Sequence, residues 1–313
     1  MLLCVSLNPA IDKRLVLHEL RVGQVNRAVE AVAAPGGKAA HVAMVLRTLG
    51  ADPVWLGFAG GATGAALLNG LRALSIRTES IPVAGSTRTN LELVHAGQVT
   101  EILEPGHVVT PSELQQCEDR FGRLLATSPQ SIVILSGSLP AGVPPDFYAR
   151  LVRVTHEFRG RAFVDSSGEP LKLALAAKPD FVKPNQQEAE AWSGRKIESA
   201  RPAEATLAQL LEAGALAGAI SLGERGLVCA AAKQKGATLF AKGPALKPRS
   251  TVGSGDSSLA GFAFGAAHGF SPAESVRLAA ACGAANCLAE GPGLARAEDI
   301  ERLKREIQVE TLQ

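Results

Sequence analysis

The chain has 313 residues, 46% of them hydrophobic and 20% charged, with a formal net charge of +2. That is enough apolar material for one sizeable α/β unit, and the mixed charge leaves no basic footprint for nucleic acid and no polybasic patch for a membrane. The five cysteines, Cys4, Cys117, Cys229, Cys282 and Cys287, form no C-x-x-C pair and lie mostly in apolar runs, which fits buried reduced thiols better than disulfides or zinc. No apolar run is long enough to span a bilayer and the first residues lack a basic leader, so a cytoplasmic location is expected by elimination.

Leu2 to Leu7 reads as a short strand ended by Asn8-Pro9, releasing Asp12 at the carboxyl edge of a parallel sheet, where ligands of open α/β sheets gather. Arg14 to Ala33 alternates without helical spacing and is expected to form strands of a small separate sheet. Pro35-Gly36-Gly37-Lys38 opens a helix carrying Val42, Leu46 and Leu49 and stopped by Gly50. Lys38 in its first turn opposes the helix dipole, which suits either an anionic ligand beside the glycines or a solvated lysine. Trp55 to Phe58 is a strand leading through Gly60-Gly61 into a helix to Leu74. Residues 86–104 alternate about Ala96-Gly97 as a hairpin joining the 14–33 segment.

From residue 105 strand and helix alternate, which predicts a parallel sheet covered on both faces. Thr110-Pro111-Ser112-Glu113 and Ser271-Pro272-Ala273-Glu274 are capping boxes with Pro at the first helical position. The first opens a helix with Leu114, Cys117, Phe121 and Leu124 on one stripe, and the second a helix running through Cys287. Strands at Ile132–Leu135, Ala162–Asp165, Phe181–Lys183 and Ala219–Ser221 each end in a polar or glycine cluster. Residues 297–308 form a last amphipathic helix.

The centre of the chain is Thr251-Val252-Gly253-Ser254-Gly255-Asp256-Ser257-Ser258. Two glycines here bare the backbone at the opening of a small apolar helix, an arrangement that directs free N–H groups and a positive dipole end at an anion. Asp256 at this mouth is a general base for an attacking hydroxyl, or simply an N-cap. The stretch is neither a P-loop nor a dinucleotide fingerprint. Asn185 and Glu188, three apart after Pro184, share one helix face and offer an amide oxygen and a carboxylate to Mg²⁺, or else form an ordinary helix start. Lys38 and Arg88 are candidate phosphate cations, and Ser136-Gly137-Ser138 offers backbone donors.

Eight motifs stand in the order found in the ribokinase-like (PfkB) sugar kinases, from residue 5 to about 290, and the chain resembles most the 1-phosphofructokinase and tagatose-6-phosphate kinase branch. They are Asn8-Pro9-Ala10-Ile11-Asp12, Gly36-Gly37-Lys38, Thr87-Arg88-Thr89-Asn90, Thr100-Glu101-Ile102-Leu103-Glu104, Ser136-Gly137-Ser138-Leu139-Pro140, Lys183-Pro184-Asn185 with Glu188, Ser221-Leu222-Gly223 with Gly226, and Gly253-Ser254-Gly255-Asp256-Ser257. The resemblance implies an α/β, Rossmann-like three-layer fold with a mostly parallel sheet over residues 1–313 as a single domain, and a β-sheet lid from about 12–34 and 86–105. It implies Asp256 as base, with Gly253, Ser254 and Gly255 as the anion hole. Asp12, Gly37, Lys38, His41, Arg88, Asn90 and Ser138 are expected on the sugar phosphate. Lys183, Asn185, Ser221, Gly223, Gly226 and Asn286 are expected on ATP, with Asn185 and Glu188 on Mg²⁺. The implied reaction is phosphorylation of a ketohexose phosphate, fructose 1-phosphate or tagatose 6-phosphate. The alternatives are a kinase of an unphosphorylated sugar or nucleoside and a non-catalytic sugar-phosphate-binding regulator. No nucleic-acid or membrane partner is expected, and the exposed lid edge suggests a homodimer. Ala39 and His41 depart from the family pattern, in which a glycine and a sugar-contacting asparagine occupy these positions. His41 is bulkier than that asparagine and can titrate.

Overall fold

The structure is a computed structural model that describes residues 1–232 and 238–312. Strand β1 (Leu2–Ser6) is buried along its whole length and leads into β2 (Ala10–Leu17) and β3 (Glu30–Gly36). Helix α1 (Lys38–Thr48), β4 (Pro53–Ala59), α2 (Gly61–Ala73) and β5 (Arg77–Pro82) follow, then the hairpin β6 (Arg88–His95) and β7 (Gln98–Leu103). Next come α3 (Pro111–Thr127), β8 (Ile132–Ser136), α4 (Phe147–Glu157), β9 (Arg161–Asp165), α5 (Gly168–Ala176), β10 (Phe181–Val182), α6 (Gln186–Ser193), α7 (Ala200–Glu212) and β11 (Ala217–Ser221). The chain closes with β12 (Leu227–Ala231), β13 (Thr238–Ala241), α8 (Ser254–Ala267), α9 (Pro272–Asn286), α10 (Ala297–Glu306) and β14 (Val309–Leu312).

The large sheet has ten strands in the order β14-β13-β12-β11-β10-β9-β8-β1-β4-β5. It is parallel from β11 through β5 and antiparallel across β12, β13 and β14. Side chains of successive strand residues point to opposite faces, so two apolar layers are needed. Leu2, Cys4, Ile132 and Ile134 pack under residues of α1, α8 and α9, while Leu3, Val5, Val133 and Leu135 pack under residues of α3, α4 and α7. Each such fully buried aliphatic side chain contributes about 1.5–3 kcal/mol. Strand β1 lies between β8 and β4, where the strand order reverses; this is the crevice in which open α/β sheets bind ligands.

A second sheet has the order β3-β2-β6-β7, with β2 and β6 parallel and the other pairs antiparallel. The two alternating segments therefore do pair in one sheet, as expected. Strand character does not run through 14–33, however. Residues 18–29 form an exposed loop in which Val22 and Val25 are largely solvated, because hydrophobic spacing there is not matched by any covering layer. Both capping boxes form, each with its reciprocal backbone bonds. Strands β5, β12, β13 and β14 are additions to the sequence reading, all in the outer parts of the sheet. No helix among the described residues is long and apolar enough to cross a membrane.

Candidate active site

Helix α8 begins in the middle of the glycine-rich stretch. Gly253 is its N-cap with φ 79, a left-handed conformation, and a Cβ there would meet Pro292 Cβ at 2.9 Å. Asp256 is consequently the third helical residue and not the cap, and it is buried at 6% exposure. Ser254 N is taken up by Thr251 O at 3.2 Å, so among the described residues the Gly255 and Asp256 amides are the first-turn donors without a preceding carbonyl, at the positive dipole end. Beneath them sits Lys183, 1% exposed, with Nζ 3.1 Å from where a Cβ on Gly255 would stand. A buried ammonium under a glycine turn reinforces the same positive potential. Ser254 Oγ lies 3.1 Å from Cys287 Sγ.

Asn286 is tied to the same turn. Its Nδ2 donates to Val252 O at 2.7 Å and its Oδ1 accepts from Gly293 N at 2.8 Å. The side chain is 2% exposed. Its amide fixes the turn to the segment at Gly293 from inside.

Asp256 meets a row of polar side chains. His41 Nδ1 lies 2.7 Å from Asp256 Oδ2, and His41 Nε2 lies 2.7 Å from Asp12 Oδ2. Asn90 Nδ2 in turn donates to Asp12 Oδ1 at 2.9 Å. Asp12 lies within β2, in the lid, and not in a turn after β1. Gly36 is what makes room for it: a Cβ there would stand 2.3 Å from Asp12 Cγ. Burial alone would lower the imidazole's affinity for a proton, but the two carboxylates outweigh it and His41 is pushed up to about 10. Burial would raise Asp12, yet bonds and charge from His41 and the Asn90 amide hold it below the usual carboxylate range.

Lys38 is held between two carboxylates. Its Nζ pairs with Asp165 Oδ1 at 3.1 Å and Glu188 Oε1 at 3.1 Å. The anions that offset its unfavourable place at a helix start are the protein's own carboxylates. Burial opposes its charge, but Asp165, Glu188 and Asp256 together keep Lys38 protonated above the ordinary lysine range. Asp165, 1% exposed and also 3.6 Å from Lys183 Nζ, is held low by the two cations against the effect of burial. In the sequence Asp165 shows only as the polar end of a strand. Its role as the counter-ion between two distant lysines carried no local signal.

Asn185 is the N-cap of α6 and Glu188 its third residue; their side chains cap each other's backbone N–H at 2.9 and 2.8 Å. Among the described residues no group of three or more His, Cys, Asp or Glu stands ready for a metal. Kinase magnesium keeps most of its waters and takes few protein ligands. Glu188, its carboxylate already shared by the Asn185 amide and Lys38, suits such an ion through the water shell.

On the other side of the crevice Arg88 donates to Glu104 O at 2.8 Å and Asn8 O at 3.2 Å. Among the described residues it has no ion pair, and its Nε is buried without a partner. Arg88, Asn8, Pro9 and His107 line a narrow cavity. Asn8 Nδ2 donates to Ser138 Oγ at 3.1 Å, and Gly37, with φ 86, packs on Pro9 and Asn8. Toward β11, Ser221 bridges Asn185 in parallel pairing, Gly223 has φ 62 in open space, and Gly226 has φ 111 against Ala241 O. Asp12, Lys38, His41, Arg88, Asn90, Ser138, Lys183, Asn185, Glu188, Ser221, Gly223 and the 253–256 turn thus gather at the carboxyl ends of β1, β8, β9, β10 and β11 and under the lid. The lid is tied to the same rim: Arg14 donates to Glu290 O at 2.8 Å and Arg249 O at 3.1 Å, and Ser250 Oγ donates to the buried Glu92 of β6.

The model of the pfkB family carbohydrate kinases matches residues 3–299. The chain belongs to that family. Phosphofructokinase-2 from Escherichia coli, solved with substrates and products, is 28% identical, with a TM-score of 0.89 and coverage of 97% of this chain and 98% of that one. A candidate phosphofructokinase from Staphylococcus aureus is 32% identical, TM-score 0.82, covering 100% of this chain and 99% of that one. A candidate 1-phosphofructokinase from Thermotoga maritima is 25% identical, TM-score 0.89, covering 100% of both. The fold is ribokinase-like, and the chain is a sugar or sugar-phosphate kinase of the pfkB family.

Proposed function

We propose that the chain transfers the γ-phosphoryl group of Mg-ATP to a hydroxyl of a ketohexose phosphate, with fructose 1-phosphate and tagatose 6-phosphate as the leading substrates. The observation that carries the choice of a phosphorylated sugar is Arg88, a half-buried guanidinium that among the described residues bonds only carbonyl oxygens, beside the cavity at Asn8. A fork of this kind takes a phosphate in a bidentate grip. A neutral sugar would leave it uncompensated.

In the transfer, the hydroxyl oxygen forms a bond to phosphorus as the bond to the ADP oxygen breaks, and the hydroxyl proton passes to Asp256. The first-turn amides of α8 and Lys183 stabilise charge on the equatorial oxygens of the moving group. Glu188, with Asn185 beside it, would hold magnesium, which would supply neutralising charge to the triphosphate. Ser221, Gly223 and Gly226 receive the nucleotide at the end of β11. The lid strands bring Asp12 and Asn90 to the sugar and keep water from the phosphoryl group. We further propose that the lid's outermost strand, β7, meets a second copy of the chain: it is exposed throughout and carries Val99, Ile102 and Leu103.

The test is ADP release with Mg-ATP across fructose 1-phosphate, tagatose 6-phosphate, fructose 6-phosphate and the unphosphorylated ketohexoses, using the unaltered chain, Arg88→Ala and Asp256→Asn. Turnover is expected on a phosphorylated ketohexose, with KM for it raised in Arg88→Ala and kcat lowered about 10²–10⁴-fold in Asp256→Asn. A preference for neutral sugars that survives Arg88→Ala overturns the substrate class. Full activity of Asp256→Asn overturns the base.

A further inference from the structure

A neutral imidazole has one N–H to donate, yet both ring nitrogens of His41 lie 2.7 Å from carboxylate oxygens, which only accept unless protonated. We propose that His41 is a positioning residue which carries a proton on each nitrogen, clamps Oδ2 of Asp256 through Nδ1 and Asp12 through Nε2, and so leaves Oδ1 of Asp256 to receive the substrate hydroxyl's proton. This rests on the reading of Asp256 as the base.

Packing supports a fixed ring. His41 is 4% exposed, and Gly293 approaches so closely that a Cβ there would stand 2.9 Å from His41 Cα. Gly293 is itself held by Asn286, which also holds the 251–255 turn through Val252. Ring and anion site are thus referred to one brace. The ionisable groups acting on this row come from five elements: Asp12 from β2, Asp256 from α8, Glu101 from β7, Lys38 from α1 itself and Arg88 from β6, which acts on Asp12. Three carboxylates against one imidazolium and the nearby cations favour keeping the ring charged.

The clamp has two consequences for the reaction. The imidazolium occupies one oxygen of Asp256 and leaves a single one for the proton, while phosphoryl transfer asks little covalent work of the protein. In exchange the carboxylate keeps one orientation, and misplacement by about 1 Å costs on the order of 10²-fold. The second consequence is coupling. Asn90 on β6 bonds Asp12 on β2, Asp12 bonds His41 on α1, and His41 bonds Asp256 on α8. Hydroxyls that engage Asn90 and Asp12 are therefore felt at the base through a single ring.

The test combines ¹⁵N-histidine spectra of the full chain, with the His41 signals assigned by their loss in His41→Asn, and steady-state kinetics of His41→Asn and His41→Leu. Both ring nitrogens of His41 are expected to show imidazolium shifts at pH 8. His41→Leu should lower kcat about 10²-fold with KM for ATP unchanged, and His41→Asn, which keeps one amide donor, should recover about tenfold of that loss. A neutral ring at pH 8, or wild-type kcat in a folded His41→Leu, overturns the inference. If His41→Leu fails to fold, the spectra and the Asn variant decide alone. Asp256→Asn separates the two levels: an active Asp256→Asn refutes the base itself, whereas an inactive Asp256→Asn beside a fully active His41→Leu refutes only the clamp.

Discussion

Gly36→Ala tests the sugar-side geometry without touching a polar group. The added methyl would lie 2.3 Å from Asp12 Cγ and 2.4 and 2.6 Å from its two oxygens. Ordinary contact between such atoms starts at about 3.5 Å, so the carboxylate must retreat by about 1 Å. It has little freedom to do so while His41 and Asn90 hold it at 2.7 and 2.9 Å. Overpacking of this kind costs about 1–3 kcal/mol in stability. The displaced Asp12 should lower kcat/KM for the sugar by about 10²-fold while KM for ATP stays put. The assay is a double-mutant cycle with Asp12→Ala, read by ADP release and by urea unfolding. Because Asp12→Ala removes the obstacle, Gly36→Ala should add almost nothing in that background, a coupling of about 1–3 kcal/mol. If Gly36→Ala costs the same with and without the Asp12 carboxylate, the steric route is wrong.

Three further outcomes follow from the site. Lys183→Met should destabilise the fold by about 3 kcal/mol, seen as a lower urea midpoint at unchanged slope, because buried Asp165 loses one of its two cations; an unchanged midpoint would deny that pairing any weight. His41 is raised from 6.5 to about 10 on folding, so its contribution to stability is complete below about pH 6.5 and is lost as pH rises through about 10. Urea midpoints should accordingly fall across that window more steeply for the unaltered chain than for His41→Asn, and parallel curves would contradict the shift. Ile102→Lys on the exposed β7 should turn a dimer into a monomer in sedimentation without changing the ultraviolet circular dichroism; a dimer that persists would place the contact elsewhere.

Local chemistry was the legible part. Thr110 with Glu113 and Ser271 with Glu274 announce helix starts because both halves of the bond lie within one turn, and both form. The glycine turn at 253–255 was visible for the same reason, although the cap fell on Gly253 and moved Asp256 inward. Strands at the sheet's margin were not legible: Arg77–Pro82 and Val309–Leu312 carry polar residues and acquire strand geometry only from their neighbours. Nor were the ionic partners. Lys38 reaches Asp165 and Glu188 across separations of 127 and 150 residues, and His41 reaches Asp256 across 215. Spacing rules see charge type but not which distant carboxylate arrives, so neither the Lys38 nor the His41 partners could be read from the sequence. Asn185 and Glu188 show the reverse case, a pair suited to metal that first serves its own helix end.

The bond from Ser250 to Glu92 joins a lid strand to the residue two before Val252, whose amide also reaches Ser250 Oγ. Covering the sugar and shaping the phosphate cradle are therefore not independent events. A tilt of β6 would be passed through Ser250 to the strap that leads into α8.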